Sequence, residues 1–286
     1  MNPPRLMAVL AHPDDESLGL GGTLARYASE GVEVFLVTAT RGDAGRYRGH
    51  RPGSDGHPGA AALAVVREAE LTAAAATLGI RELRMLGYAD QRLDRAEPQE
   101  IIGRIARQIR QLRPDVVVTF GPDGAYGHPD HIAISQFATA ATVAAADASF
   151  ASGGPEPMDP PHAVSKLYYL VLSESMCTAY QDAIGSLSTT VAGVERHALP
   201  WPDWAISTLV DTRAWWPTVW RAVTCHESQV SAYERLGELS ADEHEALWGH
   251  QSFYRVFSVA NGGSARETDL FEGIRMPAAT LSGERA

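Results

Sequence analysis

Residues 6–16 read LMAVLAHPDDE, and this segment decides the fold class. Its apolar part, 6–11, is typical of a strand buried on both faces, and its polar part holds a proline, one histidine and three carboxylates. Residues 22–29 then form a helix-like segment that Gly31 ends. The segment therefore predicts a strand, a polar loop and a helix in succession.

The same succession continues along the chain. The predicted strands are 32–38, 82–86 and 115–120, and the predicted helices are 61–78, 98–111 and 131–145. Because such alternation is typical of a parallel sheet covered by helices, we expect an α/β fold: a Rossmann-like, mostly parallel sheet flanked by helices, with a C-terminal extension. In these sheets ligands bind beyond the carboxyl ends of the strands.

Size and composition favour one large core with a soft internal boundary. The 286 residues are 45% hydrophobic, and a loop rich in Pro and Gly at 152–161 predicts a Rossmann-like core at 1–150 and a part at 151–286 that completes the fold and the substrate pocket. All six tryptophans lie in the second part, where packing against the sheet is the more usual role than sugar stacking. We expect residues 261–286 to be a flexible or lid-like tail.

Charge and cysteine content limit the partners. The formal net charge of −11 argues against a nucleic-acid-binding surface, and no stretch approaches the roughly 20 apolar residues of a membrane span. The apolar run 6–11 stops at His12 before a signal peptide is complete, and Cys177 and Cys225 suit two free thiols in a reducing compartment. We therefore expect a cytoplasmic protein with a small-molecule partner, and the sequence leaves a homo-oligomer open.

Two polar motifs at predicted strand ends carry the chemistry. In the first, His12 and Asp15 are typical ligands of a divalent metal such as zinc. The second, GHPDH at 127–131, again places His and Asp around a proline. Either motif alone is also compatible with a polar turn, but two of them at the same edge of a sheet predict one metal site. If three of these His and Asp side chains bind the metal, two carboxylates and one imidazole remain. These are the acid and base groups that amide hydrolysis needs.

These motifs resemble those of the PIG-L/LmbE-like deacetylases, which include mycothiol- and bacillithiol-pathway enzymes. The resemblance covers roughly residues 5–145 and includes VTATRG at 37–42 and RPDVVVT at 113–119. It implies zinc held by His12, Asp15 and His131, with Fe²⁺, Co²⁺ or Mn²⁺ also compatible with such ligands. It further implies an aminosugar substrate.

The resemblance also implies roles for the remaining site residues. Asp14 would be the general base, and His128, oriented by Asp130, would be the acid or the oxyanion partner. Tyr126 resembles a tyrosine that polarises the scissile carbonyl.

Substrate contacts are expected from three further residues. Arg67, Asp90 and His226 resemble substrate-binding positions, although Arg67 in a helical segment is equally typical of a solvated charge. The loops at 42–59 and 88–95 are expected to border the pocket.

Three functions remain under consideration at this point. The leading hypothesis is hydrolysis of an N-acetyl group on a GlcNAc-containing small molecule. The alternatives are an amidase that acts on a thiol conjugate or an acylated antibiotic sugar, and a metal-dependent binding protein without turnover. Asp14 favours catalysis, because it is not needed to hold the metal.

Overall fold

A seven-stranded sheet forms the centre of the protein. The computed structural model describes residues 2–151, 158–185, 187–191, 193–232, 234–263 and 265–274. The strands are β1 (Arg5–Leu10), β2 (Glu33–Thr40), β3 (Glu82–Tyr88), β4 (Val116–Phe120), β5 (Lys166–Val171), β8 (Thr208–Asp211) and β9 (His250–Ser258). Their order in the sheet is β3-β2-β1-β4-β5-β9-β8. A separate antiparallel hairpin consists of β6 (Ser188–Val191) and β7 (Val194–His197).

Helices occupy the connections between the strands. They are α1 (Asp15–Leu18), α2 (Gly21–Ser29), α3 (Ala60–Leu78), α4 (Pro98–Leu112), α5 (Gly124–Gly127), α6 (Pro129–Ala146), α7 (Glu174–Ile184), α8 (Trp216–Cys225) and α9 (Ala241–Trp248). None of the helices in the described ranges is both long and apolar enough to cross a membrane.

β1 to β5 pair with one another in parallel, whereas the pairs β5–β9 and β9–β8 are antiparallel. β1 pairs with β2 and β4, β2 with β3, and β4 with β5, all in parallel, whereas β9 runs antiparallel to both β5 and β8. β1 and β4 are fully buried along most of their length because helices cover both faces of the sheet. The predicted α/β fold is confirmed, and the mixed edge is the C-terminal extension.

The segment after residue 150 contributes three strands to the central sheet. β5, β9 and β8 extend it beyond β4, and the predicted division at 1–150 and 151–286 stays a prediction. Residues 152–157 of the predicted boundary loop lie outside the described residues.

The predicted C-terminal tail begins as a packed segment. Leu270 and Phe271 are fully buried, so the expectation of a flexible extension is wrong for 265–274. Apolar side chains there pack into the core. Residues 275–286 lie outside the described part of the chain.

Candidate active site

The two polar motifs meet at the carboxyl edge of the sheet. His12 follows β1, and His131 lies in the first turn of α6, soon after β4. Because β1 and β4 are neighbouring parallel strands, their carboxyl ends are adjacent. His12 Nδ1 lies 3.1 Å from His131 Nε2.

Asp15 completes a group of three facing side chains. Its Oδ2 accepts hydrogen bonds from the backbone N–H of His12 at 2.7 Å and of Ala11 at 3.2 Å, which fixes the carboxylate against the end of β1. Its Oδ1 is then directed at His131 Nε2, 3.2 Å away, and its Oδ2 lies 3.7 Å from His12 Nδ1. The three residues are at most 8% exposed.

The donor set fits a divalent metal ion. A tetrahedral zinc with bonds of about 2.0–2.1 Å holds its ligand atoms roughly 3.3 Å apart. The two imidazole nitrogens are 3.1 Å apart, and each lies within 3.7 Å of one of the two Asp15 carboxylate oxygens, which is close to that spacing. Two imidazoles and one carboxylate also have the chemistry of a catalytic site that keeps one position open. His128 lies close enough to His12 and His131 to belong to the same group of candidate ligands.

Burial and neighbouring charges shift the pKa values of His12 and Asp15 in opposite directions. Burial lowers the pKa of His12, but the nearby carboxylates of Asp90, Asp130 and Asp15 raise it more, so that the net pKa lies well above the usual value. Burial raises the pKa of Asp15, whereas His131 and His12 lower it more, so that its net pKa lies below the usual value. The carboxylates around His12 therefore stabilise positive charge at this position.

Two further carboxylates contact the His12 ring at Nε2, the nitrogen that does not face Asp15 and His131. His12 Nε2 lies 3.1 Å from Asp90 Oδ1 and 3.2 Å from Asp130 Oδ2. Asp130 also accepts from the backbone N–H of Gln91 at 2.7 Å and of Leu93 at 3.1 Å. A carboxylate on the distal nitrogen of a ligating histidine orients the ring and increases its basicity.

These contacts differ from the expected ones for Asp90 and Asp130. Asp90 was expected at the substrate, yet its carboxylate lies on His12. The Asp130 carboxylate also lies on His12, and the contact of Asp130 with the His128 ring is made by its backbone N–H. Asp90 is 8% exposed, and although burial raises its pKa, His12 lowers it more, to about 2.

His128 caps the helix that carries His131. Its Nδ1 accepts a hydrogen bond from the Asp130 backbone N–H at 3.2 Å, and Pro129 occupies the first helical position. With Nδ1 as acceptor, the neutral ring carries its proton on Nε2. Burial and the positive charges of His12 and His131 lower the pKa of His128 to about 4.

Asp14 lies beside this group in an unusual backbone conformation. Its φ of 97° and ψ of −24° are rare for a residue with a side chain, and its side chain is 14% exposed. The Asp14 Oδ2 accepts from Arg67 Nη2 at 3.0 Å. Burial raises the pKa of Asp14, and Arg67 partly offsets that rise.

Arg67 is a buried residue rather than a solvated one on α3. It is 4% exposed, and besides Asp14 it donates to the carbonyl oxygens of Pro13 and of Gly42. The guanidinium thus ties α3 to the loops that follow β1 and β2.

Tyr126 and His226 take different places at the site. The Tyr126 ring packs edge-on against His131, with centroids 5.1 Å apart, and burial together with the Asp15 and Asp14 charges raises the pKa of its hydroxyl well above the usual value. His226 is 1% exposed, and its Nε2 lies 2.7 Å from Glu16 Oε1. Glu16 had no predicted role, although its place in the first motif was a signal.

Matches to known proteins agree with this geometry. The family model for PIG-L, described as GlcNAc-PI de-N-acetylase, matches residues 7–142. A 1D-myo-inositol 2-acetamido-2-deoxy-alpha-D-glucopyranoside deacetylase from Rhodococcus jostii is 36% identical, over 96% of this chain and 99% of its own length.

Two solved structures share the fold. N,N'-diacetylchitobiose deacetylase from Pyrococcus horikoshii has a TM-score of 0.64 at 19% identity, over 89% of this chain and 84% of its own. The 4-carboxy-2-hydroxymuconate hydratase GalB from Pseudomonas putida also has a TM-score of 0.64, at 18% identity over 91% and 99% of the two chains. Since a deacetylase and a hydratase share this fold, the fold alone does not define the reaction.

The similarity to deacetylases over nearly the whole chain, together with the facing His and Asp side chains, defines an enzyme of the de-N-acetylase class. The chain belongs to the PIG-L family. The family, the reaction class and the dependence on a metal that were predicted from the sequence are confirmed, whereas the roles of individual residues stay predictions.

Proposed function

We propose that this protein is a zinc-dependent hydrolase that removes the N-acetyl group from a small GlcNAc-containing glycoside. The observation that carries the proposal is the convergence of donor atoms from His12, Asp15 and His131 at 3.1–3.7 Å beside the partly exposed carboxylate of Asp14. These three residues would hold the metal. An inositol glycoside is the substrate that the Rhodococcus jostii relative's name supports.

The reaction adds water across the amide C–N bond. The hydroxyl joins the acyl carbon, the nitrogen receives a proton, and acetate and a free amine leave. A divalent metal, when bound, supplies a Lewis acid that polarises the carbonyl and makes a water molecule more acidic.

Asp14 is the group that takes the proton of the attacking water. Asp14 adjoins the candidate ligand Asp15, whose charge acts on its carboxylate, and Arg67 holds one of its oxygens at 3.0 Å. A raised pKa brings a carboxylate closer to the range in which general bases are efficient at neutral pH. Arg67 therefore orients the base, and contact between Arg67 and the sugar hydroxyls remains a prediction.

His128 provides a hydrogen-bond donor at the site. Because its Nδ1 accepts from the Asp130 backbone, its Nε2–H is available for the carbonyl oxygen as negative charge develops there, or for the departing amine. Tyr126, whose ring packs against His131, is assigned an assisting role at the same carbonyl.

Replacing Asp14 by Asn tests this assignment. The variant is nearly isosteric, so it should keep its metal content and melting temperature, while kcat should fall by roughly 10² to 10⁴, the usual effect of removing an acid-base group. Metal analysis and acetate release measure the two properties on the same sample.

Asp269→Asn is a matched control. It neutralises a hydrogen-bonded carboxylate that accepts from Tyr27 at 2.8 Å on the C-terminal segment, and it should leave kcat unchanged. If Asp14→Asn loses its metal, Asp14 is a ligand, and if it keeps full activity, the mechanism is wrong.

A further inference from the structure

The backbone of Asp14 needs an external restraint. Residues with a side chain are strained in sparsely populated backbone regions, and they stay there when neighbouring groups hold them. Asp14, with φ of 97°, is such a residue, and it precedes the short helix α1. Any relaxation would turn its carboxylate relative to His12 and Asp15.

Glu16 provides one such restraint. Its Oε2 accepts a hydrogen bond from the Asp14 backbone N–H at 3.0 Å, and its Oε1 accepts from Ser17 Oγ at 2.6 Å. The arrangement is similar to a capping box, in which a carboxylate in the first helical turn reaches back to the N–H of the residue before the helix. Glu16 is fully buried, so its charge needs a partner.

His226 is that partner. It follows α8, 210 positions from Glu16 in the sequence, and its Nε2 lies 2.7 Å from Glu16 Oε1. Burial lowers the pKa of His226, but the Glu16 carboxylate raises it more. His226 is itself 1% exposed, and Glu16 stands between it and the Asp14 backbone.

We propose that Glu16 and His226 are positioning residues that fix the backbone of Asp14, and through it the direction of the general base. The proposal rests on the proposed function, because it gives Asp14 that role. In this proposal His226 does not make the expected contact with the substrate, but affects the rate indirectly through Glu16. The pair therefore acts on kcat rather than on substrate binding.

Two substitutions at 226 separate positioning from general packing. A Gln amide nitrogen reaches about as far as the histidine Nε2 and keeps the contact with Glu16, whereas the shorter Asn does not. His226→Asn should lower kcat about tenfold or more with KM within about twofold, as expected when only the transition state is affected. His226→Gln should restore kcat to within about threefold of wild type, and both variants should retain their metal.

Glu70→Gln is the matched control for the same segment. Glu70 accepts from the Ser228 backbone N–H at 2.6 Å and from its hydroxyl at 2.7 Å, so this variant loosens the residues next to His226 without touching Asp14. We expect its kcat to stay near wild type. An equal loss in Glu70→Gln and His226→Asn would overturn the proposal, as would full activity of His226→Asn.

Glu16→Asp gives a second test if Asn at 226 prevents folding. The shorter carboxylate keeps the charge but cannot span the distance to the Asp14 N–H and His226 together, so a loss of kcat at unchanged KM is expected. Wild-type kcat in this folded variant would contradict the proposal. A fully active Asp14→Asn variant would refute the proposed function itself. If Asp14→Asn is inactive but His226→Asn is fully active, only the positioning role of Glu16 and His226 is refuted.

Discussion

At the scale of single residues, Arg67 depends on a glycine in the loop after β2. Gly42 has a φ of 66°, and a Cβ on it would overlap with the Arg67 guanidinium. Its carbonyl oxygen accepts from Arg67 Nη1 at 3.0 Å. The loop conformation therefore sets the place from which Arg67 reaches Asp14.

Gly42→Ala is expected to reduce activity because the new methyl group displaces Arg67 from Asp14. We expect kcat/KM to fall about tenfold or more, equivalent to roughly 1.4 kcal/mol. Steady-state kinetics on the purified variant provide the measurement.

Gly31→Ala separates this effect from backbone strain. Gly31 has a similar φ of 82°, but no described atom lies within 4 Å of its Cβ position. This control should lose about 1–2 kcal/mol of unfolding free energy and keep its kcat/KM. Wild-type kinetics in Gly42→Ala would show that Arg67 does not need its present position.

At the scale of elements, Glu267 ties the C-terminal segment to the antiparallel edge of the sheet. Its carboxylate accepts from Lys166 at 2.7 Å and Tyr168 at 2.6 Å on β5, from Thr208 at 2.9 Å on β8 and from Arg255 at 2.8 Å on β9. Lys166 is fully buried, so its ammonium group relies on this carboxylate. The cluster lies at the amino end of β5, away from the candidate active site.

Glu267→Gln should destabilise the fold without changing the chemistry. It leaves the Lys166 charge buried without its anion, which costs about 3–5 kcal/mol of unfolding free energy at pH 7. Urea unfolding measures this loss, and kcat of the folded variant should stay near wild type.

The pH dependence of that loss follows from the Glu267 pKa. Burial raises it, but Lys166 and the other donors lower it more, from 4.5 to about 2. A carboxylate whose pKa is lower in the folded state stabilises the fold at pH values above its pKa in the unfolded state. For Glu267 this contribution disappears as the pH falls from 4.5 towards 2. The difference in unfolding free energy between wild type and Glu267→Gln should thus decrease when the pH is lowered from 7 to 3. A difference that increases over this range would contradict this account.

At the scale of the whole molecule, four of the five mutually parallel strands could be predicted from local patterns, whereas β5 was not predicted. The predicted strand at 82–86 and helix at 98–111 differ from β3 and α4 by at most two residues at either end. Parallel strands that are buried on both faces give continuous apolar runs, which the sequence displays directly.

The antiparallel half could not be predicted in the same way. β9 is the last strand in the chain but inserts between β5 and β8, and β8 has only 4 residues. Pairing between such distant segments leaves no periodic signal in either one.

The same limit applied to the site. The two motifs predicted the meeting of His12 with His131, because both follow neighbouring strands. The contacts of His12 with Asp90, and of Glu16 with His226, join segments that only tertiary packing brings together.

Acetate release by the metal-free and the zinc-loaded protein tests the central claim most directly. The substrate is 1D-myo-inositol 2-acetamido-2-deoxy-alpha-D-glucopyranoside, with an N-acylated thiol conjugate measured in parallel. We predict negligible release after chelation, recovery with about one equivalent of zinc, and one free amine for each acetate. Equal rates with and without metal, or hydrolysis of the thiol conjugate while the glycoside stays intact, would contradict the account.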